Sequence, residues 1–258
     1  MHHFTSSKPF FLYCSLLTAF FSGQVQADGL SDLQQALKTF KQTSAFKAHV
    51  SASVKKANTE NDETSQTEGH TQFYLEKNNS GLHLSYPNEL LVTIEKEAEL
   101  KKQTPSAPTP TTNAINRFKY EEFSILFNPI RDIENDLRKA KLVKEESVTF
   151  QGNPARLLHL QIPIEALSEE ERKNLKKYQA DLQIWINEKG IPLASRSIGK
   201  GSGRFALVIS FEFQFDVDKT YVINGDRLLA TTLTSSTGSK GAGMNENETI
   251  SATLKLVN

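Results

Sequence analysis

The sequence predicts an α+β protein: one strongly curved antiparallel sheet with a few covering helices. Three observations point there. Apolar and polar residues alternate through most of the chain, as half-buried strands require. The thirteen-residue stretch from Arg204 to Asp216 keeps Phe205, Leu207, Ile209, Phe211, Phe213 and Phe215 on one face without a break. Two segments, Leu30 to Lys41 and Pro129 to Ala140, show helical spacing instead.

Composition excludes several classes. Lys plus Arg is 30 and Asp plus Glu is 30 over 258 residues, so the chain has no net charge to attract nucleic acid. The same balance removes a polybasic argument for an anionic membrane surface. One Cys leaves no disulfide framework and no multi-Cys metal site.

Residues 1–27 read as an export signal. Lys8 supplies a positive start, Phe10 to Phe21 is an apolar run too short to span a bilayer, and Val25-Gln26-Ala27 offers small residues at the cleavage positions. Cleavage after Ala27 leaves a mature periplasmic chain, 28–258, read as one domain. A lipoprotein signal with Cys14 as the modified residue is the rival, disfavoured by bulky Tyr13 and by the position of Cys14 inside the apolar run. Losing Cys14 forbids any Cys nucleophile or thiolate metal site. The triplets at Asn78 and Asn247 match a glycosylation pattern that matters only in a eukaryotic secretory pathway.

The elements follow in order. Leu30, Leu33, Leu37 and Phe40 make a helix with Ser31 or Asp28 as N-cap. Phe46, Ala48, Val50, Ala52 and Val54 make a strand, and Asn58 to Glu68 reads as a polar turn. Phe73 and Leu75 mark a second strand and Leu82, Leu84 and Tyr86 a third, joined at Asn78 to Gly81. Leu90 to Ile94 is strand or helix. Gln103 to Asn113, with three prolines, reads as an extended loop within the domain.

Asn128-Pro129 then starts a helix with Ile130, Ile133 and Leu137 on its apolar stripe. Val148 and Phe150, a turn at Gly152-Asn153-Pro154, and Ala155 to Ile162 make a hairpin. Ser168 and Glu171 form a capping box for a charged helix reaching Tyr178. Leu182, Ile184 and Ile186 face inward on a strand, with Trp185 opposite. Leu193 to Ile198 returns, and Gly199 to Gly203 reads as a hairpin turn rather than a phosphate loop. Arg204 to Asp216 is one strand of about 43 Å at 3.3 Å per residue, against about 17–20 Å for a typical strand, so it must bend around something. Asn224-Gly225 is a hairpin signal, and strands at Leu228–Thr234 and Ile250–Leu256 close the sheet.

This order resembles the LolA/LppX family of bacterial periplasmic lipoprotein and lipid carriers. The resemblance rests on the N-terminal helix, on Phe46-Lys47-Ala48-His49-Val50-Ser51-Ala52, and on the strands Gly69–Leu75 and Leu82–Pro87. It continues through Phe127-Asn128-Pro129-Ile130, Gly152-Asn153-Pro154-Ala155 with Leu157-Leu158-His159-Leu160, and Ile184-Trp185-Ile186-Asn187 with Ile191-Pro192-Leu193. It implies a LolA-like open half-barrel closed by helices around an apolar cavity that accommodates lipid or the acyl chains of a lipoprotein. An inner- or outer-membrane partner protein would donate or accept them. The Arg that pins the lid from the early strands in that family has no match between His70 and Pro87.

The expected cavity lining is Val50, Val54, Leu82, Leu84, Leu182, Ile184, Ile186, Phe205, Leu207, Ile209, Phe211, Phe213 and Phe215, with Ile130, Ile133 and Leu137 as the lid. No catalytic residue, metal or cofactor is expected. His49, His70, His83 and His159 fall on four different strands, and no nucleophile-elbow motif occurs. The alternative is a partner-binding scaffold on the same sheet with a filled core, since alternating apolar faces usually mean burial alone.

Overall fold

The computed structural model describes residues 28–60, 63–118, 120–205 and 208–257. The expected export segment with Cys14, and Leu207 of the expected lining, lie outside them. The chain begins with α1 (Gly29–Thr39), β1 (Phe46–Glu60), β2 (Glu63–Asn78) and β3 (Gly81–Ser85). Four helices follow: α2 (Asn88–Gln103), α3 (Pro110–Arg117), α4 (Tyr120–Phe127) and α5 (Pro129–Lys139). Then come β4 (Lys141–Phe150), β5 (Asn153–Ile162), a 3-10 turn at Ile164–Ala166, and α6 (Glu169–Arg172). A meander ends the chain: β6 (Leu175–Ile186), β7 (Pro192–Phe205), β8 (Ile209–Asn224), β9 (Arg227–Gly241) and β10 (Met244–Leu256).

The ten strands form one open sheet in the order β3-β2-β1-β10-β9-β8-β7-β6-β5-β4. Every neighbouring pair is antiparallel. The order explains where the helices lie. The chain reaches one edge at β3 and resumes at the opposite edge with β4. Helices α2 to α5 make that crossing, and α3, α4 and α5 contact β2, β1 and β9 on the way.

Directly opposed residues share a face, so the register defines the inner one. Val50 opposes Phe73 and Leu254, Ala52 opposes Ala252, and Ile184 opposes Leu158. These residues are buried together with Leu33 and Leu37 of α1, Phe123, Leu126 and Phe127 of α4, and Ile130 and Ile133 of α5. Each such Leu, Ile or Phe contributes about 1.5–3 kcal/mol by leaving water.

Several local expectations hold. Asp28 caps α1 by accepting from the Leu30 amide at 3.1 Å. Ser168 and Glu171 form the reciprocal capping box. Gly225 turns the β8–β9 hairpin at φ 62°. Pro129 opens α5, although the Asn128 side chain makes no cap bond.

One open alternative is resolved and other expectations are corrected. Leu90 to Ile94 is helix, within α2. The expected loop 103–113 shrinks, because Pro110 occupies the first position of α3, where its missing N–H costs nothing. Of the expected turn Asn58 to Glu68, the described residues 58–60 and 63–68 belong to β1 and β2, whose polar ends pair through Lys55–Glu68 and Thr59–Thr64. The charged helix after Ser168 is only α6; from Leu175 the chain pairs with β7 instead. A sheet partner there outweighs the helical propensity of Lys and Glu.

The long aromatic strand is two strands. Phe205 ends β7 and Ile209 begins β8; they oppose each other, and the Val208 amide bonds the Phe205 carbonyl at 3.3 Å. A hairpin keeps opposed residues on one face, so alternation reads the same through a turn as along a strand. The turn also has none of the Asn or Gly that normally marks one. Gly199 to Gly203, expected as the turn, lies inside β7.

Candidate functional site

The inner face has a part covered by helices and a part that they leave open. Of the expected lining, Val50, Val54, Leu182, Ile184 and Ile186 are buried in the covered part. Leu82 and Leu84, on edge strand β3, are half-buried against it. Of the expected lid, Ile130 and Ile133 are buried there and Leu137 packs alongside. Aromatic rings from the crossing segment fill the middle: Phe73 of β2 meets Phe123 at 5.4 Å and Phe118 at 6.0 Å, and Phe123 meets Phe127 at 6.0 Å. The covered face is therefore occupied by side chains of α3, α4 and α5.

Phe211, Phe213 and Phe215 lie on the same inner face but further along β8, and stay half-buried. They oppose Gly203, Gly201 and Gly199 of β7. The missing side chains make room for the rings. A Cβ on Gly199 would stand 2.3 Å from the Phe215 ring, and one on Gly201 2.5 Å from that of Phe213. Each ring thus reaches across β7 towards β6: Phe213 meets Tyr178 at 6.5 Å, and Phe215 joins a small cluster of Ile162, Leu167 and Ala180. The glycine-rich run is a bed for three aromatic rings. Of the three remaining members of the series, Phe205 and Ile209 are exposed at the hairpin end and Leu207 lies outside the described residues.

Continuing inward along β8, the same face carries Val217, Lys219 and Tyr221. A lysine at an inward position of an apolar alternation is a signal legible in the sequence. Lys219 is buried and pairs with Asp132 of α5. Tyr221 is buried beside it and bonds Ser195 of β7 at 2.6 Å. Burial pulls the pKa of Lys219 down, but Tyr221 and Asp132 outweigh it and leave it raised. Burial pushes Tyr221 up to about 12. One turn on in α5, Asp136 is pushed up to about 6, first by burial and then by the charge of Asp132.

Three further ties hold the crossing segment. Arg117 at the end of α3 grips Glu248 of β10, with Nε at 2.8 Å from Oε1. Lys139 at the end of α5 bonds Glu171 of α6 at 2.7 Å. Buried Glu97 of α2 accepts from the amides of Thr111 and Thr112 at 2.8 and 2.9 Å, supplying the N-terminal cap that α3 lacks. Those backbone bonds hold its pKa below the usual range against burial, which acts the other way. At the opposite end of the sheet, Arg227 is buried under Phe46, 5.2 Å from its ring, and bonds the Ser44 carbonyl at 3.0 Å.

The helix-free face presents a polar row across β6 to β10, in which Gln179, Lys200, Gln214, Gly238 and Asn247 oppose one another in turn. With Lys177 and Lys240 they line a groove of about 680 Å³. Among the described helices, none is long and apolar enough to cross a membrane.

No family model matches the chain, and no curated protein matches it. Among solved structures, a crystal structure of MucB in complex with MucA(peri) aligns over 88% of this chain and 93% of its own, at 9% identity and a TM-score of 0.20. At that score the likeness carries no information about fold or function.

Proposed function

We propose that this chain binds or carries a hydrophobic group, a lipid or the acyl chains of a lipoprotein, in the periplasm and without covalent chemistry. The observation that carries this reading is the source of the side chains on the covered face. Phe118, Phe123, Leu126, Phe127, Ile130 and Ile133 all come from one crossing segment. Polar ties secure that segment at Lys219, Glu248 and Glu171. Lifting it would uncover two apolar stretches, Val50 with Phe73 and Leu182 with Ile184, separated by Lys219 and Ser195, where an acyl chain could replace the rings. Apolar area leaving water, at about 25 cal/mol per Å², would drive the exchange. The half-buried Phe211, Phe213 and Phe215 extend the lining past the helices.

The second reading is a partner-binding scaffold whose core is filled for good. The complete burial of Val50, Leu126 and Ile184 favours it. One experiment separates the two. The protein is purified without detergent, extracted with organic solvent and analysed by mass spectrometry, then melted with and without lysophospholipid. A stoichiometric lipid, or a melting temperature that rises with lysophospholipid, supports the carrier. A clean extract and an unmoved melt leave the scaffold.

A further inference from the structure

The β7–β8 hairpin ends differently from the other described hairpins. Those turn through Asn79-Ser80, Gln151-Gly152, Glu188-Lys189-Gly190, Gly225-Asp226 and Ala242-Gly243. This one carries five consecutive apolar residues, Phe205-Ala206-Leu207-Val208-Ile209. Phe205 is 59%, Val208 80% and Ile209 42% exposed. Ala206 and Leu207 lie outside the described residues. Three exposed apolar residues clustered at one turn cost solubility and are kept where something covers them.

The tip also projects. On one side β8 loses its partner after Phe211, which opposes Gly241. On the other, β6 pairs with β7 only as far as Gly203, followed by a bond from the Arg204 amide to the Asn174 carbonyl at 2.9 Å. Phe205 and Ile209 therefore stand about two residues beyond both neighbours, or about 7 Å at 3.3 Å per residue. That matches the depth of about 5–10 Å to which interfacial elements enter a bilayer.

Cations lie at its base on the β6 side. The chain beside Arg204 reads Arg172-Lys173-Asn174-Leu175-Lys176-Lys177. Lys173, Lys176, Lys177 and Arg204 are all exposed. The nearby acids are Glu169, Glu170, Glu212 and Glu171, and Glu171 is taken by Lys139. Apolar residues ahead of a cationic collar are the pairing that an anionic lipid surface selects.

We propose that this tip is a membrane-docking finger. Phe205, Val208 and Ile209 enter the interfacial layer of an anionic bilayer while Lys173, Lys176, Lys177 and Arg204 meet its headgroups. The chain as a whole is neutral, so the attraction is local to this end of the sheet. The proposal stands whether or not the covered face takes a ligand.

The test is co-sedimentation of the purified protein with vesicles of phosphatidylcholine, alone or with about a quarter phosphatidylglycerol. Retention should be at least about tenfold greater on the anionic vesicles and should fall as salt rises. The double variant Phe205→Ser/Val208→Ser should lose about tenfold in retention while its melting temperature stays put, since both side chains already face solvent. In a Trp185→Phe background, the emission of Phe205→Trp should shift to the blue when anionic vesicles are added. Equal retention of wild type and double variant would overturn the proposal. So would no retention on anionic vesicles, or an unshifted Phe205→Trp emission with the protein bound. Sedimentation velocity adds one more arm: a dimer lost in the double variant would assign the tip to a second copy of this chain and overturn the membrane reading.

Discussion

Asp132 of α5 ends on Lys219 of β8, so the covering helix is tied to the sheet by an ion pair whose lysine is out of solvent. Neither partner is dispensable alone. Lys219→Met leaves Asp132 without its counter-charge, and Asp132→Leu leaves a buried ammonium. Each single change should cost about 3–5 kcal/mol, while the pair of changes together should recover most of it. Urea melts of the three variants give the coupling directly. Equal and additive losses would mean that the tie carries no shared energy.

Asp136 gives a pH signature of unusual sign. Its pKa is raised to about 6 from an ordinary 3.8 by burial and by Asp132. Between those values the folded state binds more protons than the unfolded state, so this group's contribution falls as pH rises from about 4 to about 6. Asp136→Asn should therefore stabilise the protein by about 1–3 kcal/mol at neutral pH, with the gain vanishing below about pH 4. Thermal melts of wild type and variant across that range check it; parallel curves would show that Asp136 titrates normally.

Gly201 should resist substitution. Its position in mid-strand is ordinary, but Phe213 occupies the space a side chain needs. Gly201→Ala should cost about 1–3 kcal/mol, as overpacking does. Adding Phe213→Ala should make the alanine tolerable, because the ring that excludes it is gone. A denaturant series on the two single variants and the double shows whether the losses are shared.

Glu97 holds the start of α3 from outside that helix. Glu97→Ala should cost about 1–2 kcal/mol, the range for a lost N-terminal cap, with Glu97→Gln costing less. Amide exchange should accelerate first at Thr111 and Thr112. Unchanged protection there would mean that the carboxylate does not cap the helix.

How much of this was legible depends on how far apart the cooperating residues lie. The caps at Asp28 and Ser168, the apolar stripe of α5, the inward faces of β1 and β6, and the Gly225 turn all follow from residues within a few positions of one another. The turn between Phe205 and Ile209 was not legible, because alternation survives a hairpin unchanged and no turn residue marks it. The glycines of β7 looked like a turn because their reason for being glycine, the rings of Phe211, Phe213 and Phe215, sits on the next strand. Half of the aromatic face expected to line a cavity serves as packing over those glycines, and its outer end is solvent-exposed.

The sequence by itself determined the strand faces, the starts of α1, α5 and α6 and the neutral overall charge, since each is local or a sum. Only the tertiary structure decided the order of strands, which sends α2 to α5 across the inner face. It alone paired Lys219 with Asp132, 87 residues away, and gathered four cations behind the tip of one hairpin in a chain of zero net charge. Those outcomes depend on which surfaces meet, and distance along the chain does not encode distance in space.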